Sequence, residues 1–157
     1  MRRYHRIVTT LYAVIFTAGG LSHFVLGRWQ PDSYAGFGHT AIFAWLSDQW
    51  AGWVMPNIGW LTLLLAVFEI ACGVAVTRRR TATWAVFAMI GFLVFITVIG
   101  YGFPTTSPGE DFLKNRAITI AMVFLLIPLL TRTGRQAATP VISPPATGQP
   151  GGNDSQS

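Results

Sequence analysis

The sequence predicts an all-α membrane protein, a four-transmembrane-helix bundle with an interfacial helix in the first external loop. Three observations predict it. Of the 157 residues, 52% are hydrophobic and 11% are charged, whereas soluble domains carry about 25% charged residues. Four apolar runs, 7–26, 58–76, 82–101 and 112–130, approach the ~20 residues a helix needs to cross a bilayer. The 11 Lys and Arg residues collect at the ends of those runs. The net charge of +5 is therefore a topology signal, and nucleic acid is not expected as a partner.

The first run is about twice as long as the apolar core of a cleaved leader and no A-x-A site follows it, so it reads as an uncleaved span. Arg2, Arg3 and Arg6 precede it, Arg78, Arg79 and Arg80 join spans two and three, and Arg132 and Arg135 follow span four. The opposite side carries Arg28, Lys114 and Arg116. Eight basic residues against three predict that both termini are cytoplasmic, in a cell inner (plasma) membrane.

Between spans one and two lies a long loop rich in Trp and Tyr. Within it Ile42, Trp45, Leu46, Gln49, Trp50, Trp53 and Val54 recur at helical spacing, with Thr40 placed as N-cap. This predicts a helix over 41–55 lying along the outer interface, where tryptophan concentrates. Span four has a sharper start: Ser107-Pro108-Gly109-Glu110 reads as a capping box, with Ser at N-cap, Pro at N1 and Glu at N3. Residues 1–132 form the membrane domain on this reading. From Thr133 to Ser157 the chain is Pro, Gly, Thr, Ser and Gln with almost no charge, the composition of a disordered cytoplasmic tail.

Helices in lipid pack through small residues, which predicts their inward faces. In span two the 3–4 spacing selects Gly59, Thr62, Ala66, Glu69 and Gly73. In span one it selects Thr9, Ala13, Phe16, Gly20, His23 and Gly27. In span four Lys114, Ala117, Ala121 and Pro128 share a face, and Arg116, nearly opposite, is expected to snorkel to the headgroups. Gly20, Gly59, Ala66 and Gly73 are the expected packing positions.

Glu69, Lys114 and His23 are thus the candidate polar site inside the bundle. A carboxylate at the bilayer centre costs several kcal/mol unless paired or protonated, and such residues are usually functional. The expected partner of Glu69 is Lys114, reaching inward from the head of span four. Glu69 lies eleven residues below the start of span two and His23 near the outer end of span one, so their depths differ by roughly 10 Å or more and a direct contact is not expected. The bland readings are a protonated Glu69 bonded locally, a structural Glu69–Lys114 clasp, and His23 as a polar bundle contact. His5 and His39 lie outside the spans, so no His pair is placed for haem and no spacing reads as zinc. A single cysteine, Cys72, rules out dithiol exchange.

At this point the residues resemble a known family. Phe16-x-x-x-Gly20-x-x-His23-Phe24 is similar to the DoxX pattern of an aromatic, a glycine and then a basic residue. Phe68-Glu69-Ile70-Ala71-Cys72-Gly73, followed by Arg78–Arg80 and another apolar span, resembles the DoxX Glu-x-x-x-Gly and basic turn, and Lys114 heads span four in the same way. His23 departs from the lysine many relatives carry. The resemblance covers roughly 7–130. It implies a four-helix membrane fold and a place beside redox enzymes, because the family's name comes from an association with a thiosulfate:quinone oxidoreductase. The expected role is a membrane subunit or quinone-binding module in redox or oxidative-stress metabolism. Quinone is the expected ligand, redox-enzyme subunits and the bilayer are the expected partners, and a homo-oligomer is compatible. A small-molecule or lipid transporter and a scaffold without chemistry are the other classes the residues allow.

Overall fold

The computed structural model describes residues 2–137, and every regular element in that range is helical. The first, α1, spans Arg2–Trp29. A 3-10 turn over Pro31–Tyr34 leads into a short helix, α2, over Ala35–His39. Then come α3 (Ala44–Gln49), a π-helical stretch (Trp50–Val54), a 3-10 turn (Met55–Asn57) and α4 (Ile58–Ala75). After the arginine turn, α5 runs over Ala82–Ile99. The last span is built from α6 (Pro108–Asp111), a π-helical stretch (Phe112–Arg116) and α7 (Ala117–Ala137). Four of the helical runs are long and apolar enough to cross a membrane: Arg3–Trp29, Ala44–Ala75, Ala82–Ile99 and Pro108–Leu130. The segment read as a tail is helical as far as Ala137, and 138–157 lie outside the described residues.

The interfacial helix needs correction. The aromatic segment is helical, but it begins at Ala44 and passes through the π and 3-10 turns directly into α4, with no loop between them. The Trp periodicity belongs to an extension of span two. Thr40 is not its cap, because Phe43 holds the extended backbone before the helix. Thr40 is used elsewhere. Its hydroxyl donates to the Ile99 carbonyl at 3.0 Å and accepts from the Gly102 N–H at 3.0 Å.

α1 and α4 form the closest pair, and α5 packs mainly on α7. The first pair is held by backbone approach. A Cβ on Gly20 would lie 2.7 Å from the Ala66 carbonyl, and one on Gly73 would lie 2.9 Å from the Ala13 carbonyl. Gly27 leaves no room for a Cβ beside Thr62. The predicted packing roles of Gly20, Ala66 and Gly73 therefore hold. Gly59 is the exception: nothing lies within 4 Å of its Cβ position, because α1 has ended opposite it. The main core cluster fills the other half of the bundle, where Tyr12, Phe16, Cys72, Met89, Leu93 and Leu126 meet. Tyr12 is fully buried, and its hydroxyl donates to the Met122 carbonyl at 2.6 Å.

The end of α5 shows how irregular backbone is accommodated in a bundle. A helix leaves its last four carbonyls without partners, and in lipid each must be satisfied within the protein. Gly100, at φ 83°, ends the helix and donates its N–H to Ile96 O. The Arg116 guanidinium donates to Thr97 O and Val98 O, Ile42 N–H also donates to Val98 O, and Thr40 donates to Ile99 O. All four are taken. The following loop is clamped by Asn115, which is fully buried. Its side chain accepts from Phe103 N–H at 2.9 Å and donates to Phe103 O at 3.0 Å.

Candidate functional site

Of the three candidate polar residues, the structure brings together the two that were not expected to touch, His23 and Glu69. Glu69 is buried on the α4 face that packs on α1, with a residue exposure of 5%. His23 Nε2 lies 3.6 Å from Glu69 Oε1. Gly27 against Thr62, Gly20 against Ala66 and Ile70, and Gly73 against Ala13 and Thr17 set the register of the two helices. On that register His23 lies level with about residue 66, so Glu69 is one turn deeper, roughly 4.5 Å along the axis. The larger depth gap expected from the sequence came from aligning the apolar runs by their ends. Glycine contact shifts them by about a turn.

Lys114 is not part of this site. Its ammonium pairs with Glu110 at 2.5 Å, and its side chain is about half exposed. The expected Glu69–Lys114 coupling is overturned, and so is the expectation that Arg116 snorkels. The inward face of the last span is Asn115, Thr119, Leu126 and Leu129, and Ala121 is exposed. The small-residue rule chose the wrong stripe because this interface is made by hydrogen-bonding side chains. Thr97 donates to Thr119 at 2.7 Å across α5 and α7. Through Phe112–Arg116 the helix makes i→i+5 turns, whose smaller rotation per residue brings neighbours Asn115 and Arg116 both inward. Arg116 pairs with Asp111 at 2.8 Å and donates to the Thr40 carbonyl at 2.6 Å as well as to the end of α5. It is a structural clamp.

The third member of the site is Tyr34, which sequence reasoning missed. The Pro31–Tyr34 turn folds the loop back over the end of α1. There the phenol lies 2.6 Å from His23 Nδ1, and the rings are 5.6 Å apart. Tyr34 is itself buried. Phe37 stacks on it at 6.0 Å and Trp50 stacks on Phe37 at 5.9 Å. The Trp50 indole donates to Tyr34 O at 2.8 Å. The aromatic richness of the loop was the available signal. Nothing in its spacing pointed to Tyr34 rather than its neighbours.

Burial, and then negative charge on Glu69, push the Tyr34 phenol up from its usual value, so it remains protonated. A phenol donating to Nδ1 pairs with the imidazole tautomer that carries its proton on Nε2, facing the carboxylate. At 3.6 Å this last contact is electrostatic and longer than a hydrogen bond. The other carboxylate oxygen, Oε2, is buried without a hydrogen-bond partner. It points at Gly19, where a Cβ would lie 2.6 Å away. Gly19 thus provides the space the carboxylate occupies. The arrangement is a line of three titratable side chains leading from a buried acid to the aromatic cover.

The Ser107 cap also differs in detail. Ser107 accepts from Glu110 N–H at 3.3 Å as expected, but Glu110 reaches back to Thr106 N–H at 2.8 Å. No protein-family model, curated protein or solved structure matches the chain.

Proposed function

We propose that this chain is a DoxX-like membrane subunit of a quinone-linked redox system, in which Glu69, His23 and Tyr34 conduct protons. The observation that carries this reading is His23 placed between a buried carboxylate, 3.6 Å away, and a buried phenol, 2.6 Å away. A buried acid with one unbonded oxygen is an expensive arrangement, and proton exchange gives it a use. Imidazole is suited to the middle position, because it accepts on one nitrogen while donating from the other.

A quinone-class ligand is what the DoxX resemblance implies. It is apolar, lies between helices, and needs few polar contacts at its carbonyls. When bound, it would supply a carbonyl oxygen that takes up protons on reduction, and a partner redox enzyme would supply the electrons. The roles of this chain's residues are to hold the proton on His23 Nε2, to keep the imidazole oriented through Tyr34, and to exclude water with the Phe37–Trp50 stack. The arginine asymmetry supports an orientation with both termini in the cytoplasm of an inner membrane.

Titration of the purified protein with a short-chain ubiquinone analogue, followed by tryptophan quenching, tests this. Saturable binding is expected, weakened about tenfold by His23→Ala, since one hydrogen bond to a buried ligand is worth about 1.5 kcal/mol. Wild-type protein that shows no saturable binding overturns the reading.

A further inference from the structure

A second feature of the α1–α4 pair is unrelated to the proton chain. Near the Trp29 end of α1 the two helices part around a groove of about 490 Å³, lined by Phe24, Gly27, Arg28, Gly59, Thr62 and Leu63. Its shape follows from the glycines. Gly27 meets Thr62 with no space between them, forming the floor, while Gly59 leaves its Cβ position open. Thr62 turns its hydroxyl onto its own helix, donating to Ile58 O at 2.8 Å, so the floor offers little polarity. The walls, Phe24 and Leu63, are exposed and apolar.

Arg28 stands at the rim, in the last turn of α1 and exposed to the surroundings. Unlike Lys114 and Arg116, which have Glu110 and Asp111, it forms no ion pair among the described residues. Trp29 follows Arg28 in sequence and Trp60 follows Gly59, and both indoles are exposed. Such indoles mark the level of lipid headgroups. A cation at that level, above an apolar cleft opening sideways from the helix pair, is complementary to an amphiphile with a negative head.

We infer that this groove is a binding site for an anionic phospholipid, with one acyl chain between Phe24 and Leu63 and the phosphate paired with Arg28. The commitment to lipid over free phosphate rests on the apolar walls, which give a soluble anion nothing to bind. The commitment to an anionic lipid rests on the positive charge of Arg28, which has no ion-pair partner among the described residues and so favours a head with net negative charge over a zwitterionic one.

The test is native mass spectrometry of the detergent-purified chain incubated with equimolar phosphatidylglycerol and phosphatidylcholine. Wild-type protein should retain phosphatidylglycerol over phosphatidylcholine by about fivefold, the effect of one basic residue at a membrane surface. Arg28→Gln should bring that ratio close to one, and Arg28→Lys should keep most of it. Gly59→Phe, or the smaller Gly59→Leu, should fill the groove and lower retention of both lipids. Gly91→Phe, at an equally open glycine on α5, should leave retention unchanged. The inference is overturned if Arg28→Gln keeps the wild-type preference, if Arg28→Lys loses it, or if the Gly59 variants match Gly91→Phe.

Discussion

Replacing Gly20 with alanine tests the contact that sets the register of α1 on α4. The added Cβ would stand 2.7 Å from Ala66 O, 2.8 Å from Ile70 Cγ1 and 3.2 Å from Ile70 N. Two of these are backbone atoms of a helix and cannot rotate away. Ordinary contact begins near 3.4 Å, so the helices must separate by at least about 0.7 Å along this line, or slide. Overpacking of this kind costs about 1–3 kcal/mol. Alanine's better helix propensity returns up to about 1 kcal/mol, so the net destabilisation is expected at about 1–2 kcal/mol. Gly59→Ala supplies the control, since its Cβ meets nothing and only the propensity gain remains. Unfolding in a graded mixture of mild detergent and dodecyl sulfate, followed by circular dichroism, measures both. The same separation also draws His23 away from Glu69, so the histidine resonances in the NMR spectrum should shift in Gly20→Ala and stay in place in Gly59→Ala. Equal stabilities within about 0.5 kcal/mol would show that the helices are not in backbone contact at Gly20, and the register argument would fall with it.

Arg116→Met should cost about 3 kcal/mol, because it removes the ion-pair partner of Asp111, which keeps only the Asn115 amide, and the donors at the end of α5; Arg116→Lys should recover part of this, and full recovery would show that the guanidinium fork is not needed. Glu69→Gln and Lys114→Met should be additive in a double-mutant cycle, since each has a different partner; a coupling above about 0.5 kcal/mol would restore the direct pair. Stability should fall as pH rises above about 10. A phenol whose folded pKa is raised by burial contributes stability that is present below its unfolded value and lost as pH climbs through the folded one. Tyr34→Phe should reduce that alkaline loss without abolishing it, because burial shifts Tyr101 in the same direction. An unchanged alkaline slope in Tyr34→Phe would contradict the burial of Tyr34.

The four spans were legible because length and hydropathy determine them, and neither depends on neighbours. The α1–α4 interface was legible for a related reason: glycine and alanine at 3–4 spacing admit close approach, and Gly20, Ala66 and Gly73 do pack as that rule requires. The rule failed on span four, where Asn115 and Thr119 make the interface by bonding partners on other segments. Small size is a local property, whereas a hydrogen-bond partner is not. The π-helical stretch at Phe112–Arg116 was invisible for the same reason, since it is stabilised by what Asn115 and Arg116 reach. Glu69 was correctly placed in the interior, but its partner was misassigned because partner depth depends on helix register. Register is set by pairwise fit and not by where an apolar run begins. Tyr34 lay in a loop, where no periodicity applies.

The saturated end of α5 has a consequence for how the chain is assembled. Its carbonyls draw donors from the loop after span one, through Thr40 and Ile42, and from the head of span four, through Arg116. While a ribosome is still delivering span four, α5 can be inserted but its last turn lacks the Arg116 donors. The first loop meanwhile lacks the Arg116 donor to Thr40 O. Arrival of span four then closes both at once. The segment between Tyr34 and Trp50 therefore gains its Arg116 contact only when span four arrives, which ties the surroundings of His23 and Glu69 to a helix made later in the chain.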